Sequence, residues 1–105
     1  MNSLEFRRHI HRNPELSFEE HKTQEFILRA LETEGIECRE IAGTGVIAKI
    51  EGERGNLKRA VVLRADIDAL PIEEQNDVEY RSCNRGVMHA CGHDMHATML
   101  LGAAK

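Results

Sequence analysis

Several things are scarce in this 105-residue sequence, and each scarcity narrows what the chain can be. There are only three cysteines, Cys38, Cys83 and Cys91, an odd number at irregular spacing. That argues against a disulfide framework and for free thiols in a reducing compartment. No stretch approaches the roughly 18 consecutive apolar residues that a membrane span needs. Met1 to Arg12 mixes charged and polar residues with no apolar core, so no signal peptide is read there and a cytoplasmic location is expected. Basic charge is not in excess: the formal net charge is -4, and bases alternate with acids, as in Glu51-Gly52-Glu53-Arg54. Neither a nucleic-acid partner nor a membrane partner is expected.

What is present is an ordinary globular balance, 41% hydrophobic and 30% charged, enough for one small core. Ser3 to Arg12 reads as a helix with Leu4, Arg7, Ile10 and His11 along one face, ended by Asn13-Pro14. Ser17-Phe18-Glu19-Glu20 reads as a capping box. It would open a second helix running to about Glu34, with an apolar stripe of Phe26, Ile27, Ala30 and Leu31 and Gly35 at its C-terminus. The period then changes. Ile36 to Ile41 and Val46 to Glu51 read as strands broken by Gly43-Thr44-Gly45. Arg59 to Leu63 reads as a third, central and buried strand, running into Arg64-Ala65-Asp66-Ile67-Asp68. A short strand is possible at Val78 to Arg81. Asp94 to Lys105 is apolar nearly all round, the pattern of a buried helix. The fold class is α/β, with helices packed on a mixed sheet and the chain stopping inside its last helix.

The densest chemistry lies in His89-Ala90-Cys91-Gly92-His93-Asp94-Met95-His96, where four of eight residues are His or Cys. In an extended segment, residues two apart project to the same side, so His89, Cys91 and His93 could face one point. Thiolate and imidazole together suit a borderline metal ion. The spacing matches neither a structural zinc site nor H-E-x-x-H. A second cluster, Asp66-Ile67-Asp68, ends the apolar run, where α/β sheets place their ligands. Carboxylates there can bind metal or orient a ligating histidine. Equally, one could cap a turn while the other is solvated.

Arg64-Ala65-Asp66-Ile67-Asp68-Ala69-Leu70-Pro71-Ile72-Glu73-Glu74, followed by Gly86-Val87-Met88-His89-Ala90-Cys91-Gly92-His93-Asp94-Met95-His96, resembles the M20 metallopeptidase family. The likeness is to its amidohydrolase branch: hippurate hydrolases, N-acetyl-diaminopimelate deacetylases and auxin-conjugate hydrolases. Arg8-His9-Ile10-His11-Arg12-Asn13-Pro14-Glu15-Leu16-Ser17-Phe18 also matches that branch.

The resemblance implies that residues 1–105 are the N-terminal part of a zinc-peptidase-like catalytic domain, without the lid and dimerisation domain. It implies a site for two divalent ions (Zn, Mn, Co or Ni), with Cys91 and His93 as ligands and Cys91 shared between ions. Asp66 stands at the active-site aspartate, with Asp68 supporting it. The reaction implied is hydrolysis of an N-acyl amino acid by metal-activated water. The glutamate base, another Glu ligand and two His ligands would lie downstream. Glu73-Glu74 precedes the Cys91 motif, so by family order it is not the base. Full-length members are often dimeric. His89 and His96 flank the ligands without being assigned as ligands. His9, His11 and His21 read as surface or packing residues, His11 and Glu15 match a family signature without a mechanism, and Cys38 and Cys83 read as non-functional.

Two other readings stand beside this one. The chain could be a non-catalytic remnant with at most weak metal binding. Cys91 could instead serve a thiol or redox function, although no second cysteine sits at C-x-x-C spacing. With its terminal helix apolar on every side, the chain is expected to be a marginal monomer or to associate through that face.

Overall fold

The first helix is opened by a residue that the sequence reading passed over. In the computed structural model, which describes residues 1–54 and 58–105, Asn2 caps helix α1 (Ser3–Arg12). Its Oδ1 accepts from the Glu5 amide at 2.9 Å, and the Glu5 carboxylate accepts from the Asn2 amide at 3.1 Å. Two otherwise unpaired donors are satisfied at once, an arrangement worth about 1 kcal/mol. The helix stops at Asn13, ahead of the buried Pro14. Its buried face is Phe6, Ile10 and His11, while Leu4 is exposed. The apolar stripe is thus set by the four-residue spacing of Phe6 and Ile10 rather than by Leu4.

Helix α2 (His21–Thr33) begins later than expected, and Ser17 does not cap it. Phe18 takes a left-handed conformation (φ 66°), and the chain makes one more turn, Glu19 donating to the Leu16 carbonyl, before the helix starts. The cap comes from Glu15 instead. Its carboxylate accepts from the Thr23 amide at 2.6 Å, the Thr23 hydroxyl at 2.6 Å and the Lys22 amide at 3.2 Å. The far end follows the sequence reading: Gly35 (φ 72°) donates to the Glu32 carbonyl and Ile36 to that of Leu31, a Schellman motif.

Strands β1 (Glu37–Ile41) and β2 (Gly45–Lys49) form an antiparallel hairpin in which Ile41 faces Gly45. Its turn is held to α2 by Gln24 Nε2, which donates to the Gly43 and Gly45 carbonyls. Helix α3 (His93–Ala104) starts at Gly92, whose φ of 100° suits glycine. It packs on α1, and Phe6, Ile10, Leu31, Ala97 and Leu101 form the core. Each large side chain buried there contributes about 1.5–3 kcal/mol.

The α/β class holds, with three corrections. Arg59 to Leu63 forms no strand among the described residues, and Val61 and Val62 are each 87% exposed. A strand is defined by its neighbours, and apolar composition alone supplies none. Val78 to Arg81 is a turn, with Arg81 donating to the Val78 carbonyl. Helix α3 buries one face only: Met95 and Met99 stand in solvent. Isolated pairings complete the fold, a parallel bridge from Leu16 to Ala69 and an antiparallel one from Leu70 to Met88. Among the described residues, no helix is long and apolar enough to cross a membrane.

Candidate metal centre

Two backbone pairings carry the site. Leu70 and Met88 exchange both their hydrogen bonds, at 2.9 and 3.0 Å, which lays the Asp66–Asp68 segment beside the His89–His93 segment. The Ala69 amide donates to the Glu15 carbonyl at 2.8 Å and brings residues 15–17 alongside Asp68.

His93, the first residue of α3, turns its ring into this junction. Its Nδ1 lies 2.9 Å from Asp68 Oδ1 and 3.0 Å from the Asp68 carbonyl. With Asp68 ionised, both partners are acceptors, so Nδ1 carries the proton. In the neutral ring, Nε2 then holds a free lone pair, the arrangement that prepares a histidine to bind metal. Asp66 Oδ2 is 3.9 Å from that Nε2, and Arg64 donates to the other Asp66 oxygen at 2.7 Å. The second oxygen of Asp68 accepts from Ser17 Oγ at 2.5 Å. That hydrogen bond leads the influences holding the Asp68 carboxyl below its ordinary pKa. Desolvation opposes it, and the bonds from its own backbone and His93 add to it.

Asp66, Asp68 and His93 are therefore brought together. Cys91 is close in sequence, exposed, and separated from His93 by the left-handed Gly92. Among the described residues, no group of three or more His, Cys, Asp or Glu side chains is assembled to hold a metal ion. The donor types that are present, an open imidazole nitrogen, a thiol and carboxylates, fit a divalent ion of borderline softness. Beside them an open groove of about 470 Å³ runs between Leu63–Asp66 and the outer face of α3, where His96 and Met99 line it. The His96 ring lies 6.0 Å from that of His93.

His89 is buried beside these groups. It is 4% exposed, and both ring nitrogens are buried without a hydrogen-bond partner among the described residues. Burial is the first cause lowering its pKa to about 4. Asp94 raises it, while His11 and His93 lower it further.

Behind the junction lies a network that the sequence reading treated as packing. His11 Nδ1 is 2.8 Å from Asp94 Oδ2, and His11 Nε2 is 2.9 Å from Glu74 Oε2. Arg7 Nε donates to the same Asp94 oxygen at 2.8 Å. Asp94, 1% exposed, is the neighbour of His93 in α3. Burial raises the Glu74 pKa, but hydrogen bonds from His11, the Ser82 amide and Asn76 outweigh it and leave the carboxyl lowered. The four-residue spacing of Arg7 and His11 was the available signal, because it puts both on one face of α1. Their acidic partners are 87 and 83 residues away from them in the chain, beyond any local pattern.

Comparison with known proteins follows these same residues. The profile described as Peptidase family M20/M25/M40 matches residues 62–105. Over 99 residues the chain is 54% identical to the N-acetyl-L-cysteine deacetylase of Bacillus subtilis, covering 93% of this chain and 23% of the relative. Over 103 residues it is 50% identical to thermostable carboxypeptidase 2 of Saccharolobus solfataricus, covering 96% of this chain and 26% of the relative. Among solved structures, the Bacillus subtilis YXEP protein, described as a dinuclear metal-binding peptidase, superposes with a TM-score of 0.91 at 45% identity. That match covers 97% of this chain and 29% of the other. The chain spans about a quarter of the length of the curated relatives it matches.

Proposed function

We propose, from the premise that this chain belongs to the M20 peptidase family, that it carries one corner of a two-metal amidohydrolase centre acting on N-acyl amino acids. The observation that carries this reading is the His93 ring: Asp68 holds Nδ1, and Nε2 is left open toward Asp66. Cys91 and His93 would hold the metal, as a thiolate and an imidazole. Asp68 would fix the ring, and Asp66 would face the reacting group from the groove. A divalent ion, when bound there, supplies Lewis acidity that polarises a scissile carbonyl and acidifies water. Any of Zn, Mn, Co or Ni suits these donors.

Donor number favours a second reading for the chain by itself, that of a non-catalytic piece with weak metal binding. A catalytic ion normally takes about three protein ligands, and no such group is assembled among the described residues. The two readings meet in one experiment. Residues 1–105 are grafted into the Bacillus subtilis deacetylase in place of its matching segment. The chimaera is expected to hydrolyse N-acetyl-L-cysteine in a metal-dependent way and to lose this with Cys91→Ser or His93→Ala. The isolated chain is expected to be inactive. A folded, metal-loaded but inactive chimaera would defeat the first reading. Turnover by the isolated chain, abolished by EDTA, would defeat the second.

A further inference from the structure

We infer that Ser17 is a positioning residue for His93, acting through Asp68. This rests on the metal-centre reading for its functional consequence, but not for its geometry.

A carboxylate has two oxygens, and aiming one requires holding the other. Asp68 gives Oδ1 to His93 Nδ1 at 2.9 Å and Oδ2 to the Ser17 hydroxyl at 2.5 Å. With Oδ2 held, the carboxylate keeps Oδ1 on Nδ1 beside the Asp68 carbonyl at 3.0 Å, and the two acceptors together hold the proton there. The open lone pair of Nε2 is thereby fixed in direction as well as in tautomer.

Ser17 is itself held by two features that packing alone does not require. The parallel bridge between Leu16 and Ala69 sets residues 15–17 in register with Asp68, across 51 residues of sequence. Immediately after it, Phe18 adopts φ 66° although it is not glycine and its side chain is 86% exposed. A left-handed residue with a Cβ costs about 1–2 kcal/mol. No burial of Phe18 offsets that cost. What the turn achieves is to divert Ser17 from the start of α2 and direct its hydroxyl to Asp68. The capping work passes to Glu15. Ser17 is solvent-exposed, so replacing it disturbs no core.

The test uses the 105-residue chain without metal. Long-range nitrogen–proton NMR of the His93 ring reads which nitrogen bears the proton. In the wild type, Nδ1 is expected protonated and Nε2 unprotonated. Ser17→Ala is expected to shift both signals toward a tautomer average, and Ser17→Thr, which keeps the hydroxyl, to restore them. A parallel Co²⁺ titration is expected to show roughly tenfold weaker binding in Ser17→Ala, at the low end for loss of a ligand-orienting partner. An unchanged tautomer in Ser17→Ala, or a shift that Ser17→Thr fails to reverse, overturns the assignment. The tautomer readout needs no metal, so it decides the role of Ser17 even if the wild type binds no Co²⁺. That second result would count against the metal centre alone.

Discussion

Asp68 Oδ1 lies 2.9 Å from His93 Nδ1, although 25 residues separate them in the chain. The contact fixes one ring nitrogen and leaves the other open, as the proposed metal corner requires. Asp68→Ala removes the carboxylate acceptor and leaves Nδ1 only the backbone carbonyl of residue 68, 3.0 Å away, which loosens the hold on one tautomer. Divalent-ion affinity is expected to fall by about 10–100-fold, the usual cost of losing such a partner. Isothermal titration with Zn²⁺ checks this, and an unchanged affinity would place the metal away from His93.

His11 carries a second expectation. It stands between two buried carboxylates, with Asp94 on one ring nitrogen and Glu74 on the other. His11→Ala leaves both facing a cavity, although Arg7 stays with Asp94. Removing one partner of a buried pair typically costs about 3–5 kcal/mol. Urea unfolding should show a loss in that range. An exposed control such as His21→Ala should stay within about 0.5 kcal/mol of the wild type.

Acid should act through Glu74. Its folded carboxyl is held below the ordinary value of 4.5, so the folded state binds its proton less readily than the unfolded chain does. The stability this contributes is present above about pH 4.5 and is lost as pH falls through the lowered folded value. Glu74→Gln should flatten that part of the pH–stability curve, measured by urea midpoints between pH 6 and pH 3. A curve as steep as that of the wild type would remove Glu74 from the explanation.

Strain at Phe18 gives a further test. Phe18→Gly removes a left-handed residue with a Cβ, while its exposed ring gives up little buried area. Against this, glycine adds freedom to the unfolded chain worth about 0.5–1 kcal/mol. The net change in unfolding free energy should be neutral to about 1 kcal/mol stabilising. A clear destabilisation would mean that the Phe18 ring makes a contact beyond its backbone role.

Local features were the most legible in the sequence. The limits of α1, the apolar stripe of α2, the Gly35 terminus and the hairpin depend on neighbours within a few residues, and spacing reveals them. Asp66, Asp68 and His93 were also readable as a group, because two carboxylates and a His/Cys cluster are unusual in any one short chain. What failed depended on distant partners. Ser17 looked like a cap because its partner Asp68 is 51 residues on. His11 looked like packing because its acids lie 83 and 63 residues away. Arg59 to Leu63 looked buried because apolar composition reports a preference for neighbours and says nothing about which residues supply them.

Alkylation of Cys91 tests the metal corner most directly. Cys83 is also exposed and serves as an internal control, with both thiols followed by peptide mass spectrometry. With Zn²⁺ or Mn²⁺ present, iodoacetamide should modify Cys91 several-fold more slowly relative to Cys83, and His93→Ala should abolish that protection. Equal relative rates with and without metal would contradict a centre built on Cys91 and His93.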